Sequence, residues 1–230
     1  MRYEELNWMD VENYLKTDDR LMIVIGACEQ HGYLSLLTDI KIPLAMADAA
    51  SARTNVLIAP PLNFGLSPYF AKYPGTISLR ASTFLAVIED IVRWVYGQGF
   101  RKLLFVNGHG GNTPAMGVLN ELVNELPDLK VDWYSWWVAD SVKKVAADSG
   151  LIPNHANWLE AFTFCRVADL PEGVKPATPA PRAILNANET KALYNDGVFG
   201  GSPYKADEAV MQKIFEAAVG DVIAKLQFTG

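Results

Sequence analysis

The sequence predicts an α/β protein: a three-layer α/β/α sandwich around a mostly parallel sheet, in one domain spanning residues 1–230. Two observations carry this. Short, wholly apolar runs alternate with longer amphipathic ones, the pattern of βαβ units whose strands are covered on both faces. Two of those runs end in polar, glycine-bearing clusters, at the sheet edge where open α/β sheets bind ligands.

Residues 21–27 (LMIVIGA) read as a buried strand, the Ala-rich residues 43–53 as a helix, and residues 56–60 as a second strand. Residues 63–76 carry Gly, Pro and aromatics, so a long functional loop is expected. Residues 82–96 place Phe84, Val87, Ile88, Ile91 and Val95 at helical spacing and run into Gly97 and Gly99. Residues 102–106 form a third strand, followed by NGHGGN, and residues 113–126 a helix stopped by Pro127. Residues 131–138 (VDWYSWWV) are strand-like, residues 175–182 (KPATPAPR) an extended connector, and residues 207–226 a terminal amphipathic helix.

The net charge is −6, and no Lys/Arg cluster exceeds pairs such as Arg101-Lys102, so nucleic acid is not an expected partner. No apolar run approaches the roughly 18 residues of a membrane span. The opening MRYEELNWMD lacks a signal-peptide pattern, and Cys28 and Cys165 do not form a disulfide framework. A cytoplasmic protein is expected.

The chain has only three histidines, His31, His109 and His155, and none lies inside an apolar strand or on a helix stripe. Glu29 and His31 follow the first strand. In extended backbone, residues i and i+2 point the same way, and Asp39 follows after a short loop. A carboxylate–imidazole–carboxylate set suits zinc, manganese or a similar ion. The same residues also fit a polar turn with Asp39 capping the next helix. His109 lies in NGHGGN after the third strand, where glycines let a side chain approach an ion or substrate. A phosphate-binding loop is the rival, but the segment has no Lys and fits neither common nucleotide fingerprint. In HANWLE, His155 and Glu160 would diverge by about 140° on a regular helix. They share a pocket only if His155 precedes the helical turn; otherwise Glu160 is a solvated helix residue and His155 lies near an N-cap.

Together these segments resemble the creatininase family. EQHGYLSLLTD (29–39), YPGTISLR (73–80), FRKLLFVNGHGGN (100–112) and HANWLEAF (155–162) occur in that family's order, with a looser echo at residues 197–209. The resemblance implies two divalent ions per subunit (Zn, Mn or Fe). Glu29 and His109 would hold one ion, His31 and Glu160 the other, and Asp39 would bridge them. Ions roughly 3.5–4 Å apart share a water, and its lowered pKa supplies hydroxide. His155 would be the non-ligand histidine that shuttles a proton to the leaving group. Backbone amides around Gly110 and Gly111 are candidates to steady an oxyanion. Trp158 or one of Trp133, Trp136 and Trp137 is a candidate pocket wall, as are Tyr69, Phe70 and Tyr73. Cys28 reads as a buried thiol rather than a nucleophile.

Departures narrow the function. The loop GYLSLLTD is one residue shorter than the common family form and has no second histidine. Creatinine-cleaving members carry Tyr and Glu where this chain has Gly110 and Gly111, and Trp158 replaces a carboxylate. The expected function is therefore metal-dependent hydrolysis of a cyclic or linear amide C–N bond in a small molecule other than creatinine. The alternatives are ring-opening C–C hydrolysis of a cyclic diketone from inositol breakdown, and a non-catalytic assembly module. The resemblance also implies a homo-oligomer, a hexamer in many relatives.

Overall fold

The structure, a computed structural model, describes residues 1–181 and 183–229. Four strands form one wholly parallel sheet in the order β2-β1-β3-β4: β1 (Arg20–Ile25), β2 (Leu57–Ile58), β3 (Lys102–Asn107) and β4 (Lys130–Ser135). Their side chains alternate between two cores, as a period of two requires. Met22, Val24, Leu104 and Val106 face α2 (Thr38–Thr54), α5 (Asp140–Asp148) and α7 (Glu208–Lys225). Leu21, Ile23, Leu103 and Phe105 face α3 (Ala81–Gln98) and α4 (Ala115–Glu125). The three layers are those the sequence predicts. Among the described residues, no helix is long and apolar enough to cross a membrane.

Element boundaries depart from expectation in instructive places. The last strand stops at Ser135, and Trp136–Val138 turn into a 3-10 helix, carrying the chain off the sheet edge. The helix read from residue 43 begins at Thr38, with Pro43 inside it. Three helices escaped the sequence reading: α5, and two shorter ones, α1 (Trp8–Tyr14) and α6 (Ala187–Leu193). The two shorter ones have a visible start signal. Asn7 caps α1 with Asp10 reaching back, and Asn186 caps α6 with Glu189 reaching back, two reciprocal capping boxes. The connector at 175–181 is without regular structure, and Arg182 lies outside the described residues.

β1 and β3 are neighbours in register, Ile25 opposite Asn107, so the segments that follow them leave the sheet side by side. Between them enters the first turn of α2. A Cβ at Gly26 or Gly108 would overlap the Asp39 backbone carbonyl, so both glycines make room for it. Pro43 has no N–H to offer that carbonyl, which would be its ordinary helical acceptor.

Candidate metal centre

At this carboxyl edge the five predicted ligands converge. Glu29 and His31 follow β1, Asp39 lies in the first turn of α2, His109 follows β3, and Glu160 ends a 3-10 turn, Trp158–Glu160. The Asp39 carboxylate stands between two imidazoles: its Oδ1 is 2.9 Å from His31 Nε2 and its Oδ2 is 2.9 Å from His109 Nδ1. Glu29 Oε2 is 3.5 Å from the His109 ring, and Glu160 Oε2 is 3.8 Å from His31 Nε2. Two donor groups share Asp39: Glu29–Asp39–His109 and His31–Asp39–Glu160. A third group, Glu29–His31–His155, overlaps them.

Each of the two outer histidines has one nitrogen whose role is fixed, because a carbonyl oxygen can only accept. His31 Nδ1–H donates to the Glu29 carbonyl at 3.1 Å, leaving Nε2 facing Asp39. His109 Nε2–H donates to the Leu66 carbonyl at 2.9 Å, leaving Nδ1 facing Asp39. A backbone carbonyl behind an imidazole is the usual device for aiming a lone pair at a metal. The inward atoms are otherwise stranded. Glu29 Oε2, His31 Nε2 and Asp39 Oδ2 are buried, and each lacks a hydrogen-bond partner among the described residues. Buried polar atoms are rarely left so.

The electrostatics agree. Burial pushes the Glu29 carboxyl up to about 7, with His109 pulling it down and Asp39 adding to the rise. Burial also raises Glu160, against the pull of His31. Burial disfavours charge on His31 and His109, yet Asp39 beside both carries them up to about 10 and about 9. Asp39 is buried too, but the flanking His31 and His109 hold it below the usual carboxylate range. Three carboxylates thus share a buried space with imidazoles that retain protons, positive charge standing where cations would sit.

His155 and Glu160 reach one pocket through a left-handed residue. Ala156 has φ +59°, and its N–H donates to Glu160 Oε2 at 2.6 Å. This turn, with Asn157 capping Leu159 N–H, replaces the regular helix on which the two side chains would diverge. The His155 ring packs on Phe70, with ring centroids 4.8 Å apart. Its Nδ1 lies 3.7 Å from Glu29 Oε1. Burial, with His31 close by, holds its pKa well below the ordinary histidine value.

The ligands open into a cavity of about 610 Å³ walled by Tyr69, Phe70, Trp137 and Phe199, with Lys143 on its lining. A larger cleft of about 750 Å³ lies across Trp137, over β4 and α7, away from the ligand cluster. Two expectations need correction. Trp158 is not a pocket wall: it is fully buried in the core, its Nε1–H donating to the Ile152 carbonyl. Trp137, following the strand's early end, takes that place. Gly110 lines the cavity, but Gly111 does not. Gly111 packs against the Leu66 carbonyl and the His109 ring, where a Cβ would overlap the carbonyl. A side chain at residue 111 has no room there, and it is Glu160 that approaches His31. Phe199 and Lys143 were not singled out in the sequence; Phe199 falls in the weak echo at residues 197–209.

Comparison with known proteins matches these features. The creatininase family model, described as creatinine amidohydrolase, matches residues 4–226. The mycofactocin precursor peptide peptidase of Mycobacterium ulcerans is 33% identical over 228 residues, covering 90% of this chain and 84% of that protein. Creatinine amidohydrolase of Pseudomonas putida is 32% identical over 162 residues, 65% of this chain. That match spans only 62% of the Pseudomonas protein's length. A crystal structure of creatinine amidohydrolase superposes with TM-score 0.83 at 24% identity, covering 100% of this chain and 98% of the other. A structure described as creatininase Mn superposes at TM-score 0.78 and 26% identity, covering 98% and 97% of the two chains. This chain belongs to the creatininase family.

Proposed function

We propose that this creatininase-family hydrolase depends on two divalent ions and cleaves the C–N bond of a cyclic or linear amide other than creatinine. The observation that carries the reading is Asp39, whose two oxygens each stand 2.9 Å from an imidazole nitrogen. Stranded lone pairs of nitrogen and carboxylate oxygen suit zinc or manganese. Glu29, Asp39 and His109 would hold one ion, and His31, Asp39 and Glu160 the other. Such ions supply Lewis acidity, polarising a carbonyl and lowering the pKa of a water.

The remaining chemistry belongs to the chain. The aromatic walls exclude water and orient an apolar portion of the substrate. His155 faces the same space from beside Glu29. Gly111, in place of the relatives' carboxylate, supports a substrate other than creatinine. The sequence match to a peptide peptidase over 90% of this chain supports a linear amide as well as a ring.

The test is metal content per subunit after purification without chelator, followed by hydrolysis of a panel of lactams, formamides and short peptides. About two equivalents, with turnover abolished by chelation and restored by zinc or manganese, is the expected result. Failure to bind either ion after addition would overturn the reading.

A further inference from the structure

We propose that Gln30 is a positioning residue that holds His155 as the neutral Nδ1–H tautomer, making His155 a hydrogen-bond donor to substrate in the resting site. This rests on reading the site as an amide hydrolase for what the donor acts on, but not for the tautomer itself.

The argument begins at the backbone. Gln30 is buried, and the ends of its carboxamide are identified by groups that have no choice of role. The Gly32 N–H, at 3.0 Å, can only donate, so it faces Oε1. The Gly197 carbonyl, at 3.0 Å, can only accept, so it faces Nε2. The second Nε2–H then points at His155 Nε2, 2.9 Å away, and that nitrogen must accept. An imidazole accepting at Nε2 is not an imidazolium, and its single proton sits on Nδ1. Nδ1 is the nitrogen turned toward Glu29 and the cavity.

The arrangement is held from several sides. The Gln30 N–H donates to Thr76 Oγ1 at 3.0 Å. Gly197 has φ +84°, and a Cβ there would overlap the Gln30 carboxamide, so only glycine allows this approach. Phe70 and His31 cover the His155 ring, with centroids 4.8 and 4.5 Å away, and oppose a ring flip.

The three histidines therefore divide by what stands behind them. Carbonyls behind His31 and His109 turn lone pairs inward; an amide N–H behind His155 turns a proton inward. That proton makes His155 unsuited to ligate through Nδ1, although it lies within reach of Glu29 and His31. It suits donation to the carbonyl oxygen that gains negative charge as an amide is attacked. A neutral imidazole can polarise a carbonyl in this way without giving up its proton.

The test is ¹⁵N–¹H correlation spectroscopy of histidine-labelled protein, metal-free and zinc-loaded, with only three side chains to assign. The expected His155 pattern is a protonated Nδ1 and an unprotonated Nε2 in both forms. In Gln30→Glu, whose carboxylate can only accept, Nε2 of His155 becomes protonated while zinc content is unchanged. A wild-type Nε2–H tautomer, a zinc-shifted His155 Nδ1, or a folded Gln30→Glu variant with an unaltered His155 pattern would each overturn the proposal. If that variant does not fold, the wild-type spectrum still decides. Failure to bind zinc counts against the hydrolase reading alone, since the metal-free spectrum reads the tautomer independently.

Discussion

Asp39 Oδ2 lies 2.9 Å from Nδ1 of His109, and the opposite nitrogen of that ring is already committed to the Leu66 carbonyl. The contact is therefore an acceptor facing an acceptor once the ring is neutral, an arrangement stable only with a cation or a proton between them.

Asp39 is the shared element, so its loss should affect both ions. Asp39→Ala is expected to reduce bound metal from about two equivalents per subunit toward none, whereas His109→Ala should remove chiefly the Glu29-side ion. Elemental mass spectrometry on folded variants decides this. Full metal content in His109→Ala would remove His109 from the ligand set.

The metal-free protein should lose stability as pH rises. His31 and His109 have folded pKa values raised to about 10 and about 9, above the unfolded value of 6.5. Their stabilisation is complete below about 6.5 and disappears as pH climbs through 9 and 10. Glu29, raised from 4.5 to about 7, acts in the same direction at lower pH. Saturating zinc should reverse the alkaline loss, because the ligating imidazoles must be unprotonated. Thermal melts from about pH 6 to about pH 10, with and without metal, test the sign. A metal-free melting temperature that climbs across this range would contradict it.

His155→Ala should retain both ions and slow turnover by roughly 10²–10³-fold, the cost of removing one donor to a developing oxyanion. Loss of an ion instead would place His155 among the ligands, in the group it forms with Glu29 and His31.

Ala156 occupies the left-handed region at φ +59°. Ala156→Gly should leave stability within about 1 kcal/mol, relief of strain offsetting added chain entropy. Ala156→Val should cost roughly 1–3 kcal/mol and weaken the ion near Glu160, whose carboxylate the Ala156 N–H orients. Denaturant melts paired with zinc titration separate the two effects.

Gly108→Ala forces a methyl group onto the Asp39 carbonyl and the Pro43 ring, at an expected cost of roughly 1–3 kcal/mol together with weaker metal binding. Gly117→Ala, on the exposed face of α4 with nothing within 4 Å of the new Cβ, is the matched control. It should stabilise by about 0.5–1 kcal/mol. Equal effects at the two glycines would remove the crowding argument.

The sequence by itself determined the layer architecture, because wholly apolar runs such as residues 21–25 and 103–106 can be buried only between two helical faces. It also determined that Glu29, His31 and His109 follow strands with Asp39 a short loop away, and the family resemblance brought Glu160 to them. Tertiary structure alone decided which nitrogen of His109 and of His155 faces inward, whereas His31 is set locally by the Glu29 carbonyl. His109 takes its tautomer from a carbonyl 43 residues away, and His155 from a carboxamide 125 residues away. The same is true of the tryptophans. Trp137 and Trp158 are chemically identical, and only the early end of β4 and the turn at Ala156 place one on the cavity and the other in the core. Strand and helix formation follow periodicities local to the chain, whereas hydrogen-bond partners and packing neighbours come from segments that meet only on folding.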